Sequence, residues 1–77
     1  MNIQEIKNVI EEGKVKNRKF YGYYTNKKII IVEATEVEEV LEELIVKIED
    51  KEKPIIVEKF FYFDYIEFTG LGGAIIE

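Results

Sequence analysis

The sequence predicts an α+β domain of order α-β-β-α-β(-β), with two helices packed on one face of a small antiparallel sheet. Three observations carry that expectation. Apolar residues recur at helical spacing in residues 3–10 and 36–49. Aromatic and β-branched residues crowd into 18–34 and 55–68. The polar break Thr25-Asn26-Lys27-Lys28 divides the first of those clusters as a hairpin turn would. At 77 residues, with 47% hydrophobic and 35% charged residues, the chain fits one domain spanning 1–77 and is too apolar for disorder. No repeat, linker or low-complexity tract interrupts it.

The first helix opens at Asn2, which can cap the free N–H groups, with Glu5 three positions later completing a capping box. Ile3, Ile6, Val9 and Ile10 form its apolar stripe, and Gly13 is the expected left-handed stop. Phe20–Tyr24 and Ile29–Val32 follow as a hairpin. Asn26 tolerates positive φ, whereas Lys27 is a poor stand-in for glycine, so two-residue and four-residue loops both remain open. The shorter loop would put Tyr24 opposite Ile29 and Tyr23 opposite Ile30.

The second helix, 36–49, carries Val37, Val40, Leu41, Leu44, Ile45 and Ile48 on one stripe. Thr35 is the expected cap with Glu38 as its box partner, and Glu43 with Lys47 forms an i,i+4 pair. Asp50-Lys51-Glu52-Lys53-Pro54 ends it, since a proline disfavours helix in the residue before it. Residues 55–68 exceed the usual strand length of about five or six, so a bend near Asp64 should divide them. The tail Gly70-Leu71-Gly72-Gly73-Ala74-Ile75-Ile76 reads as a turn before a swapped or edge-adding strand.

A sheet with helices on one face and water on the other should alternate apolar with polar residues. These strands are apolar on both faces. Phe20, Tyr24, Ile29, Ile31, Phe60 and Tyr62 are expected on the face away from the helices, as the interface of a homo-oligomer. The alternative is a sheet that curls around its own aromatic side chains, leaving tyrosine hydroxyls at the rim.

Charge is divided along the chain. Residues 13–32 hold Lys14, Lys16, Arg18, Lys19, Lys27 and Lys28 with no acid, while residues 33–52 hold nine acids against Lys47 and Lys51. The net charge of −5 argues against a general nucleic-acid binder. The acidic helix offers Glu38, Glu39, Glu42 and Glu43 as a ridge for the basic surface of a protein partner. The basic aromatic segment 14–28 offers a second possibility. There Lys16, Arg18, Lys19, Lys27 and Lys28 would hold a nucleotide, a small anion or nucleic acid while Tyr21 and Tyr23 stack on it.

The chain has no histidine, cysteine, serine or tryptophan, which removes the commonest general base, metal ligands and nucleophiles. No disulfide, cofactor or metal is expected, and no calcium-loop spacing occurs. The glycine-rich tail lacks the Lys and Ser/Thr of a phosphate loop. An enzyme would have to rest on Asp64 and Glu67, with Glu58, Tyr62, Tyr65 or a lysine in support, and Asp64 would serve as an acid only if buried. With no span-length apolar run and no leader, the expected location is cytoplasmic, away from membranes. In composition the chain resembles small acidic accessory or inhibitor proteins of bacteria, archaea and their viruses. That resemblance implies a non-catalytic role, such as inhibition of a nucleic-acid-binding protein.

Overall fold

A computed structural model describes residues 1–69 and 72–76, with side chains described for residues 1–64. The elements are α1 (Ile3–Val15), β1 (Phe20–Thr25), β2 (Lys28–Glu33), a 3-10 turn (Ala34–Glu36), α2 (Val37–Ile48), β3 (Val57–Phe63), β4 (Tyr65–Thr69) and β5 (Gly72–Ile76). The α+β class and the α-β-β-α-β order stand as expected. So does the division of the long third strand at Asp64.

Helix α1 starts on the expected capping box: the Asn2 side chain accepts from the Glu5 N–H, and the Glu5 carboxylate accepts from the Asn2 N–H. It runs past Gly13, which is buried inside the helix and is not its stop. The left-handed residue is Asn17, at φ 57. The Arg18 N–H donates to the Gly13 carbonyl at 2.8 Å and the Asn17 N–H to the Lys14 carbonyl at 3.0 Å, as in a Schellman cap. Gly13 serves close approach instead. A Cβ there would sit 2.5 Å from the Tyr21 hydroxyl oxygen.

Helix α2 also departs from the expected start. A 3-10 turn precedes it, its N-cap is Glu36, and no side chain caps it, so the Thr35–Glu38 box is not formed. Glu38 is bonded to Lys14 of α1 instead. Glu43 and Lys47 form no ion pair. At the far end the Asp50 carboxylate accepts from the N–H groups of Glu52 and Lys53, which turns the chain away before Pro54.

The main sheet has the order β2-β1-β3, antiparallel throughout. Its hairpin takes the two-residue loop, with Thr25 opposite Lys28 and both Asn26 and Lys27 at positive φ (49° and 61°). That is the type I′ geometry whose twist matches paired strands. β4 and β5 pair with each other as a second, two-stranded sheet, so β5 does not extend the edge of the first. The turn expected at Gly70-Leu71 lies outside the described residues.

Both helices lie on one face of the main sheet. Ile6 and Ile10 of α1 and Val37 and Leu44 of α2 enclose Tyr21, Tyr23, Val32, Val57 and Phe60. Phe60 packs against the rings of Tyr21 and Tyr23, at centroid distances of 6.1 and 5.9 Å. The Tyr21 hydroxyl, fully buried, donates to the Ile10 carbonyl at 3.1 Å and so meets its need inside the core.

Candidate functional site

The face of the sheet away from the helices carries two unlike halves. Over β1 and β3, aromatic rings cover one another. Phe20 stacks on Phe63 at 5.5 Å, Phe63 meets Phe61 at 5.9 Å, and Phe61 meets Tyr24 at 5.9 Å. Gly22 makes this ladder possible, because a Cβ at that position would lie 2.7 Å from the Phe61 ring. Phe63 is completely buried as a result of its surroundings, and Phe20 and Phe61 are half-buried. Over β2 the ladder gives out. Tyr24, Ile29 and Ile31 remain 40%, 43% and 38% exposed, and Ile30 on the opposite side of the strand is 38% exposed.

Two members of the expected oligomer interface are elsewhere. Phe60 is in the core, 3% exposed, and Tyr62 shares its face. The reason is a bulge: Tyr24 lies opposite Lys59 but Thr25 lies opposite Val57, leaving Glu58 as an extra residue. One added residue reverses the faces of everything beyond it. Val57 and Phe60 therefore both point at the helices.

Among the expected anion-binding residues, Tyr21 and Tyr23 are buried in the core, where burial pushes both phenols above their ordinary range. Lys16 and Arg18 converge on the Tyr62 ring, at 5.2 and 5.6 Å from its centroid. Lys16 donates to the Tyr62 hydroxyl at 2.8 Å, and that hydroxyl donates to Glu12 at 3.0 Å. Arg18 pairs with Asp64. The Tyr62 hydroxyl and then Lys16 hold the Glu12 carboxyl below the usual carboxylate range, while Tyr62 and Glu12 raise Lys16. This cluster fastens the end of α1 to β3. Lys19, Lys27 and Lys28 are exposed and belong to no ion pair among the described residues.

On α2, Glu38 is tied to Lys14, whose ammonium it raises above the ordinary range. Glu39, Glu42 and Glu43 stand exposed and unpaired among the described residues, an acidic ridge one residue narrower than the sequence offers. A groove of about 340 Å³ between the helices has Ile10 and Leu41 in its lining, together with Lys7, Glu11 and Glu38, so its charge is mixed. A second, of about 480 Å³, lies between the hairpin turn and residues 54–58.

Asp64, at the bend between β3 and β4, is half-buried and pairs with the Arg18 guanidinium of the loop between α1 and β1. Glu67 lies in β4, beyond the described side chains. Among the described residues, no three carboxylates are grouped to hold a metal ion, and no helix is long and apolar enough to cross a membrane. Comparison with protein-family models, curated proteins and solved structures gives no match.

Ile30 belongs to the exposed group although only Ile29 and Ile31 are expected there. Alternation assigns it to the helix face correctly. What alternation omits is that β2 is an edge strand, so the helices do not reach far enough to cover it.

Proposed function

We propose that this protein is a non-catalytic binding protein that self-associates through its sheet and presents the acidic ridge of α2 to a basic protein surface. One observation supports the first part most directly: on the outer face Tyr24, Ile29 and Ile31, and on the helix face Ile30, stay exposed along one edge of an otherwise self-covered sheet. Withdrawing what remains exposed of each of these side chains contributes on the order of 1 kcal/mol, so the group from both copies together favours association by several kcal/mol before its entropic cost. The second part draws on Glu39, Glu42 and Glu43, which make no internal ion pair that would neutralise them. An inhibitor of a nucleic-acid-binding protein is one partner class such a ridge fits, because that protein's own site is basic.

Light scattering after size exclusion tests self-association. The expected mass is at least twice the 9.1 kDa of the chain, persisting on dilution into the micromolar range. A 9.1 kDa species at every concentration overturns the reading. Charge reversal of Glu39, Glu42 and Glu43 to lysine tests the ridge: retention of the wild-type chain on an immobilised basic peptide should be lost while the mass stays unchanged.

A further inference from the structure

The two edges of the main sheet differ in what main-chain hydrogen bonding they leave free. On β3 the outward groups are partly occupied: the Met1 ammonium donates to the Val57 carbonyl at 2.6 Å, and the Phe60 N–H points at the Met1 sulfur at 2.9 Å. The bulge at Glu58 distorts that edge further. β2 has none of these devices. Its pairing with β1 runs without a shift from Lys28 to Glu33, it contains no proline, and no charged residue lies between Lys28 and Glu33. Natural edge strands normally carry at least one such protection against pairing with another chain.

Hairpin geometry says which groups are free. The pair closing a two-residue loop is hydrogen-bonded, and bonded pairs alternate from there. Lys28, Ile30 and Val32 therefore direct their N–H and C=O groups to β1, and Ile29, Ile31 and Glu33 direct theirs outward. The Ala34 N–H, next in the even series, donates to the Lys19 carbonyl at 2.9 Å, in agreement with that alternation.

We infer that a second copy of this chain pairs with the β2 edge, antiparallel and centred on Ile30, to give one continuous six-stranded sheet. This rests on the self-association reading above and names its mode. A two-fold axis that makes neighbouring antiparallel strands must stand perpendicular to the sheet, so each residue meets one of the same face. That restricts the centre to a residue opposite itself. Centring on Ile30 puts Ile29 opposite Ile31 of the second copy, twice, and those are the residues with outward main-chain groups. About four new hydrogen bonds result. Ile30 meets Ile30 on the helix side with Lys28 opposite Val32 beyond it, and Lys27, the turn residue just before β2, comes to the level of Glu33 of the second copy at both ends. Centring on Ile31 instead would set Ile29 against Glu33, apolar against charged. The Ile31 register keeps Ile30 opposite Val32 and Ile31 opposite itself, but it leaves Glu33 without a cation, whereas the Ile30 register brings Lys27 to Glu33 and pairs all the isoleucines with one another.

The test uses Ile31→Pro. Because the Ile31 N–H points outward, this proline removes an edge donor without removing one from the β1 ladder. The expected result is a folded chain at half the wild-type mass, while Tyr24→Thr, which trims the outer face alone, leaves the mass unchanged. In the wild type, the amides of Ile29, Ile31 and Glu33 should exchange more slowly with deuterium as protein concentration rises. If Ile31→Pro keeps the full mass and those amides exchange at a concentration-independent rate, edge pairing is overturned and self-association by another surface stands. If the wild type is a monomer throughout, both readings fail. Should Ile31→Pro not fold, the wild-type exchange series decides alone.

Discussion

β2 and β3 flank the same central strand, and both are edges, yet their apolar side chains meet different fates. Phe60 and Phe63 of β3 are buried, one by the helices and the rings of Tyr21 and Tyr23, the other among the outer-face rings. Ile29, Ile30 and Ile31 of β2 are as apolar and stay more than a third exposed. Composition does not separate the two strands; neighbours do. β3 has α1 above it, Gly22 opening space for Phe61 on the other side, and Met1 on its flank. Among the described residues, β2 has α2 on one side and no comparable cover on the other. A strand of isoleucines with no second cover is a surface, whereas the same residues one strand over would be core.

The largest effect should come from breaking the better-covered side. Phe60→Ala removes a ring packed between Tyr21 and Tyr23, and such truncations cost about 3–5 kcal/mol. Ile29→Ala, a truncation of similar kind on β2, should cost an isolated subunit about 1 kcal/mol or less. Urea denaturation at protein concentrations low enough to exclude association measures both. Equal losses would mean that β2 is as enclosed as β3, and the contrast would fail.

Gly22→Val is next. Its side chain would push the Phe61 ring out of the place it occupies across β1, at a cost of about 1–3 kcal/mol in strain and lost packing. Lifting Phe61 should also undo the ring ladder and make the β1–β3 half of the outer face resemble the β2 half. Binding of a hydrophobic dye by the variant but not by an association-competent wild type would register that change.

The contrast also has a pH signature. Tyr21 and Tyr23 sit in the helix-covered core, where burial raises their phenols above 10.0. The unfolded chain gives up those protons first, so stability is intact below about pH 10 and falls as pH rises past it. Lys14 and Lys16, raised above 10.5 by Glu38 and Tyr62 respectively, act in the same direction. Thermal melts between pH 8 and 11 should show the decline, and Tyr21→Phe should make it shallower. At neutral pH that variant should lose roughly 1 kcal/mol with the bond to Ile10. An alkaline slope unchanged in Tyr21→Phe would remove the phenol from this account.

Much of this was legible before any coordinates. The helical stripes, the capping box at Asn2, the break at Asp64 and the position of the hairpin turn follow from residue spacing, because local periodicity and turn chemistry act over a few residues; the choice of the two-residue loop over the four-residue one does not. What was not legible depends on partners far along the chain. Glu38 is a good box residue for Thr35, but Lys14, 24 residues away, holds it instead. Gly13 looks like a helix stop until Tyr21 is placed against it. The faces of Phe60 and Tyr62 turn on a bulge that strict alternation cannot show. The ligand reading of Tyr21 and Tyr23 weakens for the same reason: strand order, absent from the sequence, puts them at the centre of the sheet beneath both helices.

The smallest predicted effect tests the end of β2 itself. Lys27 occupies the second central position of a type I′ turn at φ 61, a conformation glycine adopts without strain. Relief of that strain in Lys27→Gly should stabilise the isolated hairpin by about 0.5–1 kcal/mol, offset in part by the greater freedom of glycine in the unfolded chain. The same change deletes the cation that the Ile30-centred register brings to the level of Glu33 of a second copy. Subunit stability and subunit association should therefore move in opposite directions, the first rising in denaturation at low concentration and the second falling slightly in sedimentation. A lysine kept only for solubility at a turn would show the gain without the loss. The pairing of both effects in one substitution is what an edge built to meet its own copy requires.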